Sequence, residues 1–179
     1  MTDAAQKNER DLATHTLAIL IEAVDYSNNA EKAASHLGVS KNFLNYLMEN
    51  KDNKQGLSRE ALTHSLMFVL KKNELAREFI ERRGMHIFHN MLQNECIENG
   101  QIAYNVCCSL WILTYHDFAM EAFTDFKLNI IEHVSKILDY FNKEKIVRII
   151  CMMFDNLKEN QLCLEHMSMI NALNLVIKL

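Results

Sequence analysis

The feature that most constrains this chain is a helical pattern that returns every 44 residues. Ser65-Leu66 recurs as Ser109-Leu110, Phe79 as Phe123 and Ile87 as Ile131. Leu44 to Phe88 and Leu113 to Leu157 are the same step. Within each period the apolar residues fall at i, i+3, i+4 spacing, in the order long helix, short helix, medium helix. A unit of this size cannot bury its apolar face alone, so neighbouring units must cover it. The period lies in the range of armadillo and HEAT repeats. It predicts an all-α, armadillo/HEAT-like α-solenoid of about four repeats, the last incomplete. Proline is absent and there are four glycines, which disfavours sheets with their turns and bulges.

The helices are placed by their apolar stripes and caps. The first is expected from Asp3 to Tyr26, with Leu12, Leu17, Leu20, Ile21 and Val24 inward. Ser27-Asn28-Asn29 breaks it, Asn29 caps a short helix from Ala30, and Gly38 ends that helix. Ser40 is expected to cap the next, which carries Phe43, Leu44 and Leu47. Ser58 opens a helix over Arg59 to Lys71, with Leu62, Leu66, Val69 and Leu70 inward. A short charged helix with Leu75, Phe79 and Ile80 is stopped by Gly84, before a third with Ile87, Phe88, Met91 and Leu92. The last helix is expected from Ile170 to Leu179. Residues 1–179 are expected to form one helical-repeat domain with a weak internal boundary near 51–57, the most polar stretch. Trp111 is expected to be the largest residue between repeats, so that Trp111→Ala would cost about 3–5 kcal/mol.

Composition narrows the function. The chain is 49% hydrophobic over 179 residues, too apolar for a disordered protein. Its net charge of −4 disfavours nucleic acid as a partner. Arg77, Arg82 and Arg83 are interleaved with Glu74, Glu78 and Glu81, the pattern of a solvated helix face. No apolar run reaches the roughly 20 residues that span a bilayer, and the longest, Ile146 to Phe154, is broken by Arg148. The N-terminus lacks a signal peptide pattern. The five cysteines, Cys96, Cys107, Cys108, Cys151 and Cys163, are odd in number and two are adjacent, which points to reduced thiols and a cytosolic protein.

No constellation in the sequence carries chemistry. Gly38, Gly56, Gly84 and Gly100 are scattered and read as helix stops, not as a phosphate loop. His86 and His89 are spaced i,i+3 near Cys96, but the spacing fits no zinc pattern. Cys107-Cys108 reads as two small apolar residues of a buried helix, with no basic group close by to activate a thiol. Met152, Met153, Met167 and Met169 cluster near the end and read as core filling in preference to the lining of a partner groove. Glu121 and Asp125, spaced i,i+4, read as a solvated face. The expectation is therefore a protein-binding module with no catalytic, cofactor or metal residues. A metal-dependent helical enzyme is the opposing reading, and it requires bound metal.

Several stretches carry a family resemblance. Gln101-Ile102-Ala103-Tyr104-Asn105-Val106-Cys107-Cys108-Ser109-Leu110-Trp111-Ile112-Leu113-Thr114-Tyr115 resembles a signature helix of the regulatory H subunit of the vacuolar proton-pumping ATPase (V-ATPase). Lys143-Glu144-Lys145-Ile146-Val147-Arg148-Ile149-Ile150, followed by Phe154-Asp155-Asn156-Leu157, is similar to a second. Asn129-Ile130-Ile131 between them resembles the opening of the intervening helix. The Asn73-Glu74 junction and Phe79 to Gly84 are similar to the preceding repeat. The likeness is good over Leu57 to Leu157 and looser elsewhere. Asp155 stands where the family pattern has arginine, so no charge contact of that arginine is carried over.

The resemblance implies a non-catalytic subunit of the V-type ATPase. It would bind the catalytic sector and the peripheral stalk and support ATP-driven proton transport and vacuolar acidification. It would be cytoplasmic, peripheral on the cytosolic face of endomembranes, and not inserted in the bilayer. Family members are longer, and this chain corresponds to the second half of their N-terminal solenoid, with the C-terminal domain absent. Silencing of ATP hydrolysis belongs to that domain, so the resemblance implies docking without silencing. The alternative is a generic armadillo or HEAT adaptor. That reading calls for a ladder of Asn and Trp on successive repeats. Trp111 is the only tryptophan, and Asn156 has Ile112 one repeat earlier, so no ladder forms.

Overall fold

A computed structural model describes residues 3–23, 30–50 and 57–172. Among them there are ten α-helices and no strand, so the all-α expectation holds. The chain divides into two compact units, Met1–Phe79 and Ile80–Leu179. The expected weak boundary near 51–57 falls almost wholly on residues outside those described.

In the first unit, α1 (Asp3–Ala23) packs along α3 (Arg59–Val69), and α2 (Ala30–Glu49) also lies against α3. Ser58 caps α3 as expected, its hydroxyl accepting from the Ala61 N–H at 3.1 Å. The Ser58 N–H donates to Asp11 Oδ1 at 2.9 Å, which ties the start of α3 to α1. Leu62, Leu66, Val69 and Leu70 are all buried.

Two expectations for this unit need correction. The inward stripe of α1 is Thr14, Ala18 and Ile21, whereas Leu12 and Leu20 are 69% and 57% exposed. Ala18 is fully buried because a small side chain lets α3 come close, and fit outweighs hydrophobicity at that position. Leu17 is only half-buried. Val24 lies outside the described residues, as does the expected Asn29 cap.

The second correction concerns α2, which is one helix running through Gly38 and Ser40. The Ser40 hydroxyl donates to the His36 carbonyl at 2.8 Å, one turn back, so it supports the helix interior instead of starting a new one. Phe43, Leu44 and Leu47 are buried.

Short α4 (Asn73–Glu81) buries Leu75, Ala76 and Phe79. Its stop is not Gly84, which is the first residue of α5 (Gly84–Asn94). The turn is made by Arg83, in the left-handed region at φ 60°. Asn129 at φ 47° and Asn171 at φ 58° take the same conformation, Asn129 directly before α8 (Ile130–Tyr140).

In the second unit, α6 (Gly100–Leu113) is buried on nearly every side and packs along α9 (Glu144–Leu157). A 3-10 turn at Asp117–Ala119 leads into α7 (Met120–Thr124), and α5 packs on α8. The chain then enters α10 (Gln161–Met169), which touches α7 and α8. Gly100 also opens a helix instead of stopping one. Asn99 caps α6, accepting from the N–H groups of Gln101 at 2.9 Å and Ile102 at 3.2 Å. A Cβ on Gly100 would stand 3.1 Å from the Phe141 ring, so the glycine permits that close approach. Gly56 and residues 173–179 lie outside the described residues, and with them most of the expected closing helix.

Candidate interaction surfaces

Trp111 is not the buried inter-repeat ring that the sequence led us to expect. It is half-buried, on the one stripe of α6 that turns outward with Gln101 and Tyr104 and continues to Tyr115. Its ring meets Tyr115 edge-on at 5.6 Å, and Tyr115 is 62% exposed. Its Nε1 is shielded from solvent without an acceptor. Lys145 of α9 places its ammonium 4.5 Å from the centre of the Tyr104 ring, a cation–π contact along the same stripe. At the far end Asn156 of α9 donates to the Thr114 hydroxyl at 2.8 Å.

The cysteines are free and mostly inaccessible. Cys96, Cys107, Cys108 and Cys163 are buried, and Cys151 is half-buried. Burial pushes the Cys107 thiol up to about 12, and the neighbouring Cys108 adds to the shift. Burial likewise raises Cys96 far above the ordinary thiol range. Such thiols are poor nucleophiles and poor metal ligands.

His86 and His89 do not converge on Cys96. His86 is exposed and Cys96 is fully buried. His89 instead faces His133 of α8, with ring centres 5.1 Å apart in an edge-on arrangement. His89 Nδ1 lies 2.6 Å from the Leu128 carbonyl, and Gln93 Nε2 lies 3.3 Å from His133 Nε2. Burial and the nearby His89 hold His133 below the usual imidazole range. The two histidines occupy the same place in successive repeats, a signal that the 44-residue step contains. Among the described residues no three His, Cys, Asp or Glu side chains come together as a ligand set.

Among the described residues of the second unit, two concave surfaces gather candidate side chains. One cleft of about 420 Å³ is lined by Arg83, His86, Glu121 and Asp125 over an apolar floor that includes Met85 and Leu128. Glu121 and Asp125 are thus brought to one cleft with Arg83 and His86. The other, of about 530 Å³, lies between α9 and α10. Cys151, Phe154, Leu164, Met167 and Ala172 form its apolar lining, and Asp155 and Lys158 pair with each other at its edge. Of the clustered methionines, Met153 and Met167 are buried, whereas Met152 and Met169 are 38% and 78% exposed. Arg77, Arg82 and Arg83 are exposed, and Glu78 pairs with Lys41 of α2 at 3.3 Å. No helix of the described residues is long and apolar enough to cross a membrane.

No solved structure matches the chain. The family model for the H subunit of the V-ATPase matches residues 2–179, the span that contains the Gln101–Tyr115 and Lys143–Leu157 stretches. The chain belongs to the V-ATPase H-subunit family.

Proposed function

We propose that this chain is a non-catalytic, regulatory subunit of the V-type proton-pumping ATPase, which binds the catalytic sector and the peripheral stalk and supports ATP-driven proton transport and vacuolar acidification. The observation that carries the reading is the family match across nearly the whole chain. Helical repeats suit the role, because stacked units offer extended surfaces to partner proteins. The repeats are taken as armadillo/HEAT-like, about four in number, with residues 1–179 acting as one repeat domain. Cys96, Cys107 and Cys163 are buried with raised thiols, and the Glu121–Asp125 pair shares its cleft with Arg83, His86 and Thr124. The working location is the cytosolic face of endomembranes, reached through the pump and without insertion into the bilayer. No cofactor, metal or nucleic acid enters the account.

Binding of the purified chain to isolated catalytic sector and to stalk subunits tests the reading. Saturable binding to either is expected, at submicromolar to micromolar affinity for a standard-sized interface. A lack of binding to both, by a chain shown to be folded, contradicts it.

A further inference from the structure

The α1–α3 interface carries a pair of titratable rings that the proposed function does not use. His15 of α1 and His64 of α3 lie face to face, with ring centres 3.6 Å apart and planes 12° from parallel. Phe68, one turn further along α3, closes over both rings, 4.9 Å from His64 and 6.3 Å from His15. His64 Nδ1 is shut off from solvent and has no hydrogen-bond partner. Two imidazolium rings at this separation repel each other, and no acceptor waits for a proton on His64 Nδ1.

We propose that the His15–His64 stack is a pH-sensitive clasp, which holds α1 on α3 while both rings are neutral and loosens when His64 takes up a proton.

The surrounding charges offer little relief. Asp11 of α1 is bound to the Ser58 N–H. Glu22 of α1 pairs with Lys71 of α3 at 3.0 Å, and that ammonium also lies 4.9 Å from the Phe68 ring centre. Lys41 of α2 is drawn to Glu78. Arg59 stands at the start of α3, and Glu60, one turn before His64, is exposed and therefore screened. Burial and the charge of His15 push His64 down to about 4. The sign follows from linkage. The unfolded or detached helix binds a proton near the ordinary imidazole value of about 6.5 and the clasped form resists it. The clasp is therefore complete above about 6.5 and weakens as pH falls from there towards 4. The ring is partly solvent-accessible, so the effect is set below the full linkage value.

Amide hydrogen exchange of the full chain at pH 7.5 and 5.5, corrected for intrinsic rates, reads the clasp directly. Protection in α1 is expected to fall about three- to tenfold at the lower pH. In His64→Phe, which keeps an aromatic ring but cannot titrate, the fall should disappear. Equal protection at both pH values in the unaltered chain, or the same loss in His64→Phe, overturns the proposal. Should that variant not fold, titration of the His64 ring by NMR in the unaltered chain decides. A midpoint well below 6.5 is expected, and an ordinary or raised midpoint overturns the proposal.

Discussion

Asn156 and Thr114 join the two longest helices of the second unit. The Asn156 amide donates to the Thr114 hydroxyl at 2.8 Å, and that hydroxyl donates to the Trp111 carbonyl at 2.6 Å, close to the end of α6. A single threonine therefore satisfies a helix-end carbonyl and fixes the register of α9 on α6. The bond also gives a physical role to the asparagine of the Phe154-Asp155-Asn156-Leu157 stretch. Asn156→Ala should cost about 1 kcal/mol, and a cycle with Thr114→Val should return a coupling of about 0.5–1 kcal/mol. Urea unfolding of the four proteins measures it, and additive effects would show that the bond contributes nothing.

Gly38 and Gly100 should respond to alanine in opposite directions. Gly38 sits inside α2 and a Cβ there meets nothing within 4 Å. Gly38→Ala should stabilise by about 0.5–1 kcal/mol, since it removes backbone freedom from the unfolded chain. Gly100→Ala presses a methyl group to 3.1 Å from the Phe141 ring and should destabilise, because that ring must shift to make room. Thermal unfolding of both variants tests the pair. A lower melting temperature for Gly38→Ala would mean that α2 is broken at that point after all.

Trp111 should matter less than a buried ring of its size. Part of its surface reaches solvent, so Trp111→Ala should cost about 2–3 kcal/mol, below the 3–5 kcal/mol of full burial. Trp111→Phe should cost under about 1 kcal/mol, because the indole N–H has no acceptor to lose. Denaturation followed by circular dichroism gives both values. A loss above about 4 kcal/mol for alanine would place the ring in the core.

Thiol chemistry should separate the cysteines. Cys96 and Cys107 are fully buried and their thiols are raised by that burial, so in the native chain at pH 8 both should resist alkylation. Cys151 is half-buried and should react first, though more slowly than a free thiol because burial raises it as well. Mass spectrometry of a timed iodoacetamide reaction shows the order. Early labelling of Cys107 would contradict the burial of α6.

Much of the fold is legible in the sequence because helical spacing and the 44-residue step report the same burial. Ser58 as a cap, and Leu62, Leu66, Phe79, Phe88 and Leu110 as core, all follow from that pattern. The departures have physical causes. Gly38-Val39-Ser40 looks like a stop and a new cap, yet the roughly 0.5–1 kcal/mol that a glycine costs a helix interior does not break α2, and Ser40 bonds back to His36. The turn before α5 falls on Arg83 and not on Gly84, and a left-handed arginine is one that local preference disfavours. In α1 the leucines are the more hydrophobic residues, but close helix approach selects the small Ala18. The candidate surfaces are less legible. His89 and His133, or Glu121 and Asp125 with Arg83 and His86, meet only through helix packing, and no local motif marks them.

The most direct test of the central claim is to recover the tagged chain from a lysate of its own organism and identify what comes with it by mass spectrometry. Membership of the V-ATPase H-subunit family predicts enrichment of catalytic-sector and stalk subunits of a vacuolar proton pump. Recovery of a reproducible set of other proteins, with no pump subunit among them, would contradict the account and leave a helical-repeat adaptor in its place.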